Sequence, residues 1–146
     1  MNQPLTHHPS FVSVTVPSRV ESVRLAAEFL VHAARNMQVP AAFDSHFEVA
    51  IVEALNNAVE HGNADRTPDA FIACELELNE RTLIVRVIDQ GRGYVLARAP
   101  RRDWDPDDIA SVPDRGYGIA IIQHVFPNVR TIGRPGEFGL EMTLTF

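Results

Sequence analysis

The chain has 146 residues, 45% hydrophobic and 22% charged, with a formal net charge of −6. That is one ordinary globular domain with a real core, and the acidic balance argues against a nucleic-acid footprint. All 13 basic residues are arginine, which removes a P-loop lysine, a Schiff-base lysine and a lysine general base together. No stretch approaches the roughly 18 apolar residues of a membrane-spanning helix, and the start lacks the basic and apolar regions of a secretory signal. The single Cys74 permits neither an intrachain disulfide nor a multi-cysteine zinc site, as expected of a protein in a reducing cytoplasm.

Residues 1–10 mix His, Pro, Ser and Thr without periodicity and read as a disordered tail, leaving 11–146 as a single domain. Phe11 to Val16 alternates apolar and hydroxyl residues with period two, the mark of a half-buried strand. Ser18 with Glu21 three residues on makes a capping-box pattern, and Val20 to Met37 carries a helical apolar stripe. A second helix begins near Asp44 or Ser45 and runs to His61, with Phe47, Ala50, Ile51, Ala54, Leu55 and Ala58 on its apolar side. Two strands follow, Phe71 to Leu78 and Leu83 to Ile88, joined by a turn around Asn79, Glu80 and Arg81. Residues 89–118 form a long connection rich in Pro, Arg and Asp, of a length more often functional than accidental. A third helix spans Ile119 to Phe126 and is stopped by Pro127. Two short strands close the chain, Val129 to Ile132 and Glu141 to Phe146, around Gly133, Gly136 and Gly139. Strands and helices fall in separate runs, so the class is α+β.

Three clusters in this order hold residues suited to chemistry. On the second helix, Glu53, Asn57 and His61 lie at i, i+4 and i+8, each about 40° around from the last, as one polar row. A carboxylate one turn from a carboxamide suits a site where a hydroxyl is activated beside a hard cation such as Mg²⁺. The plain alternative is a solvated helix face. Next, Asp89-Gln90-Gly91-Arg92-Gly93 follows a strand directly, so that an aspartate able to accept from an exocyclic amine precedes two glycines. Finally, Arg115-Gly116-Tyr117-Gly118 opens the third helix and exposes backbone N–H groups where phosphate binds. For each glycine cluster the alternative is a simple turn. A dinucleotide fingerprint fails in both, because Leu96 and Ile121 stand where its third glycine would be. The six histidines show no metal-ligand spacing, and Cys74 reads as a core thiol.

The order of EALNNAVEHGN, DQGRG and RGYGI resembles the N box and two glycine boxes of the GHKL superfamily of ATP-binding domains, the Bergerat fold. Within it, the Glu-Ala-x-x-Asn-Ala helix looks most like bacterial anti-sigma-factor serine kinases. The resemblance runs from Phe11 to Phe146. It implies a two-layer sandwich, a mixed, mostly antiparallel sheet of about five strands on three helices, with ATP and Mg²⁺ as cofactors. By position it makes Glu53 the general base and Asn57 the Mg²⁺ ligand, with His61 near the nucleotide. Asp89 would receive the adenine amino group, Gly91 and Gly93 would give the adenine room, and Gly116 and Gly118 would place amides on the phosphates. Residues 94–115 would be a lid. Where the family commonly has threonine, this chain has Leu140, and Thr143 is the residue placed to take its part. The implied activity is ATP-dependent phosphorylation of a serine on an anti-sigma-factor antagonist, together with sequestration of a sigma factor. The implied partners are those two proteins and a second copy in a homodimer, with no direct contact to nucleic acid or membrane. Two alternatives stand beside it: a non-catalytic ATP-binding partner-switch module, and a detached ATP-binding domain of a sensor histidine kinase. Glu53 favours the enzyme, and 146 residues leave no room for a preceding dimerisation helix pair.

Overall fold

The computed structural model describes residues 10–62, 69–91 and 118–146, with the backbone alone for 61 and 62. β1 (Ser10–Pro17) turns Val12, Val14 and Val16 inward and Phe11, Ser13 and Thr15 outward, as its period-two pattern dictates. α1 (Val20–Asn36) buries Val23, Ala26, Ala27, Leu30, Val31 and Ala34 along one stripe. Ser18 is not the N-cap residue. Arg19 takes the N-cap position without a side-chain bond, and the Ser18 N–H donates to the Ala70 carbonyl at 2.9 Å, tying the start of α1 to the approach of β2. At the other end the Gln38 and Val39 N–H groups bond back to Arg35 and Ala34. This Schellman closure holds Gln38 at φ 59, where glycine is usual.

A 3₁₀ turn, Pro40–Phe43, leads into α2 (Ser45–Asn57), whose N-cap Asp44 accepts the His46 N–H at 2.8 Å. The helix does not continue to His61 with α geometry. It widens into a π turn over Ala58–Gly62, so the 3.6-residue row breaks after Asn57.

β2 (Phe71–Asn79) and β3 (Thr82–Asp89) form one hairpin; β4 (Asn128–Arg134) and β5 (Glu137–Thr145) form another, preceded by α3 (Gly118–Val125). The closing strands are longer than the residue pattern implies, and Gly133 and Gly139 lie within them. Only Gly136 serves the turn, at φ +74 after Pro135. The sheet order is β1-β2-β3-β5-β4, with every pairing antiparallel. Because β5 inserts between β3 and β4, the end of β3 lies beside the start of β5.

One face of this sheet packs on the three helices to make a two-layer α+β sandwich. Its core includes Ile72, Cys74, Leu76, Leu83, Val85, Val87, Leu140, Met142 and Leu144 from the strands, with Leu30, Phe47, Ile51, Leu55, Ile121 and Ile122 from the helices. Cys74 is wholly buried, and burial pushes its thiol up to about 12, which removes it as a nucleophile at neutral pH.

The opposite face carries a charge ladder across four strands. Register places Glu75 beside Arg86, Arg86 beside Glu141 and Glu141 beside Arg130. Glu141 accepts from Arg86 at 2.8 Å and from Arg130 at 2.7 Å, and Arg86 also reaches Glu77 at 3.0 Å. Burial alone would raise the Glu141 carboxyl, but the two guanidinium groups outweigh it and hold it below the ordinary range. A carboxyl depressed in the folded state contributes stability above its unfolded pKa, and that contribution is lost as pH falls through the folded value. Glu141→Gln should therefore cost about 1–3 kcal/mol at pH 7 and nearly nothing at a pH below the folded value. Denaturant melts at both pH values check this; an equal loss in acid would contradict it.

Candidate functional site

α2 and α3 run antiparallel, and three contacts set their alignment. The His46 and His124 rings lie 5.3 Å apart, and Phe47 tilts against Phe126, just past α3, at 5.6 Å. At the other end Glu53 meets Gly118, whose missing Cβ would lie 2.8 Å from Glu53 Oε2. The apolar stripe of α2 thus fixes α3, and the fixed α3 presents its first residue to Glu53. Glu53 and Asn57, one helical turn apart, are both half-buried. Burial, and then the nearby Glu60 carboxylate, push the Glu53 carboxyl above its ordinary value. A carboxylate whose proton affinity is raised at the mouth of a helix pair is suited to take a proton from a hydroxyl.

Asp89 ends β3 on the face that carries Val85 and Val87, the helix side. It is 4% exposed. Its Oδ1 accepts the Gly91 N–H at 2.8 Å, and its Oδ2 has no partner among the described residues. Burial raises this carboxyl, against the pull of the Gly91 N–H. A buried carboxylate with one oxygen unmatched fits an incoming amine donor, which would supply the missing hydrogen bond. The π turn at the end of α2 contacts both β3 and β5, so the polar end of α2 and the end of β3 share one side of the molecule.

Gly139 packs this corner. An added Cβ there would lie 2.4 Å from the Val87 carbonyl oxygen and 3.0 Å from the Ile88 Cα. Both are backbone and cannot swing aside. Gly139→Ala should cost about 3 kcal/mol and disturb the end of β3 that carries Asp89. An unchanged denaturation midpoint would refute that close packing. Thr143 does not join the group. It pairs with Ile84 on the outer face of β5, whereas Leu140 stands inward opposite Val87, next but one to the strand partner of Asp89. That partner, Phe138, is 38% exposed; nothing in its residue pattern marks it, since its place beside Asp89 follows from strand order.

Gly93, Gly116, residues 94–115 and the side chain of His61 lie outside the described residues. Among the described residues no group of three or more His, Cys, Asp or Glu is placed to hold a metal. Asn57, which the resemblance makes the Mg²⁺ ligand, would bring one carboxamide oxygen, a donor that suits Mg²⁺ where phosphate and water supply the other ligands.

Residues 16–146 match the profile of the histidine kinase-like ATPase domain. The chain belongs to that family. Comparison with curated proteins finds no match. Among solved structures, the chain is similar to that of the RsbU and RsbW domains of Rv1364c from Mycobacterium tuberculosis. The identity is 18% and the TM-score 0.63, over 93% of this chain and 32% of that one, so this chain spans about a third of its neighbour's length. At that identity the likeness is one of fold. The stretches that resemble the N box and the first glycine box begin on α2 and at the end of β3. No described helix is long and apolar enough to cross a membrane.

Proposed function

We propose that this domain is an ATP- and Mg²⁺-dependent serine protein kinase that phosphorylates an anti-sigma-factor antagonist and sequesters a sigma factor. One observation carries the catalytic reading: Glu53 is half-buried against the start of α3, with its carboxyl raised, on the same side of the sheet as Asp89. ATP supplies the transferable phosphoryl group, and Mg²⁺ neutralises phosphate charge. Asp89 accepts the adenine amine through its unmatched oxygen and so fixes the base. Asn57 offers its carboxamide oxygen to the cation. Glu53 takes the proton from the attacking serine hydroxyl as the new oxygen–phosphorus bond forms and the bond from the γ-phosphorus to the β–γ bridging oxygen breaks, releasing ADP. Gly91 and Gly93 make room for the adenine, while Gly116 and Gly118 offer amides to the phosphates at the helix start. With no lysine in the chain, arginine is the residue that steadies phosphate charge.

The partner identities follow from the resemblance of the N box to anti-sigma-factor kinases and accord with the RsbU and RsbW names of the structural neighbour. The test is incubation with Mg²⁺-ATP and candidate antagonists from the same genome, read by mass spectrometry. The proposal expects one phosphoserine on one antagonist. Nucleotide binding with no phosphoprotein from any candidate would favour the non-catalytic partner-switch module.

A further inference from the structure

We propose that Gly118 is a positioning residue for Glu53: having no side chain, it leaves the notch at the start of α3 in which the Glu53 carboxylate is seated. The inference rests on the reading of Glu53 as the base and adds a role to Gly118 apart from any amide it offers to phosphate.

Among the described residues, outside its chain neighbours and its own helix, the three nearest heavy atoms to an ideal Cβ at Gly118 all belong to Glu53: Oε2 at 2.8 Å, and Cβ and Cδ at 3.8 Å. Glycine occurs where the backbone is left-handed or where backbone approaches closely. Among the described residues neither reason applies, and the close approach to phosphate proposed above is a separate demand on the same glycine. Gly118 is outside the left-handed region, unlike Gly136, and its neighbour is a side chain, unlike the Val87 carbonyl that confines Gly139. What a methyl group would displace is the carboxylate.

The helices themselves are poorly placed to yield. Phe47 and Phe126 are wholly buried against each other, and the His46 ring tilts against His124 at the far end of the same pair. Sliding α3 away from Glu53 would open that packing, which costs more than a change of side-chain rotamer. Alanine at 118 is therefore accommodated by moving the carboxylate about half an ångström or more, to reach ordinary van der Waals contact. A shift of this order at a catalytic group lowers turnover by about 10- to 100-fold.

The test compares wild type, Gly118→Ala, Glu53→Gln and the double variant, with a crystal structure of nucleotide-free Gly118→Ala. The expected results are a native-like melt, a kcat about 10- to 100-fold lower with a smaller change in ATP affinity, and less than about a twofold further loss in kcat when Gly118→Ala is added to Glu53→Gln. Glu53→Asp in the Gly118→Ala background, one methylene shorter, should recover part of the turnover. In the crystal the Glu53 carboxylate should leave its wild-type position. An unmoved carboxylate overturns the proposal, as does the same fold-loss with and without Glu53, or a loss confined to ATP affinity. If wild type transfers no phosphate to any antagonist, the kinase reading fails, and the crystal comparison alone decides the notch.

Discussion

Glu53→Gln is expected to keep nucleotide affinity and lose phosphotransfer by about 10²- to 10⁴-fold, the usual worth of a general base. The amide preserves the shape of the side chain and its seat against Gly118 but cannot accept the serine proton. A second consequence separates this residue from a merely structural one. The Glu53 carboxyl is raised in the folded protein by burial and by Glu60, so ionising it costs folding free energy. Stability from such a group is full below the unfolded pKa and is lost as pH rises through the folded value. At neutral pH the glutamine variant should therefore be at least as stable as wild type. A variant that is slower and less stable would make Glu53 a structural residue.

Asp89→Asn should weaken binding of adenine nucleotides by about 10- to 100-fold without loss of fold, as expected for a charge-assisted hydrogen bond in a buried position. The carboxylate is buried, holds Gly91 with one oxygen and leaves the other without a described partner. The asparagine can keep the Gly91 contact but not accept an amine with the same strength. Since burial raises the Asp89 carboxyl, the same sign argument predicts no loss, and a small gain, in the stability of the nucleotide-free variant at pH 7. Competition against a fluorescent ATP analogue, with melts in parallel, measures both effects. Equal affinity would remove Asp89 from the site.

The elements were legible because their periods are clean. Val12, Val14 and Val16 alternate with hydroxyl residues, and Phe47, Ala50, Ile51, Ala54 and Leu55 recur at helical spacing. Glu53, Asn57 and Asp89 stood out as polar residues on or directly after these apolar patterns, and the structure sets Glu53 and Asp89 on one side of the sheet. What pairs across strands was not legible. The ladder through Glu75, Arg86, Glu141 and Arg130 depends on β5 entering between β3 and β4, which no local pattern encodes. For the same reason Gly139 read as a turn glycine, although β3 backbone is what confines it. Gln38 closes α1 in a conformation that favours glycine, and the π turn over Ala58–Gly62 begins where the apolar pattern of α2 still continues through Ala58. The placement of Thr143 was open to correction from the residues alone. Counting by twos along β5 from the buried Leu140 puts position 143 on the other face.

A calorimetric titration of the intact protein with ATP and with GTP, each with Mg²⁺, tests most directly whether the end of β3 is an adenine site. Adenine presents an amine donor where guanine presents a carbonyl acceptor, and the Asp89 carboxylate can accept from the first but repels the second. The prediction is one saturable site for ATP and binding at least about tenfold weaker for GTP. Equal affinity for the two nucleotides, or no binding of ATP, would contradict it.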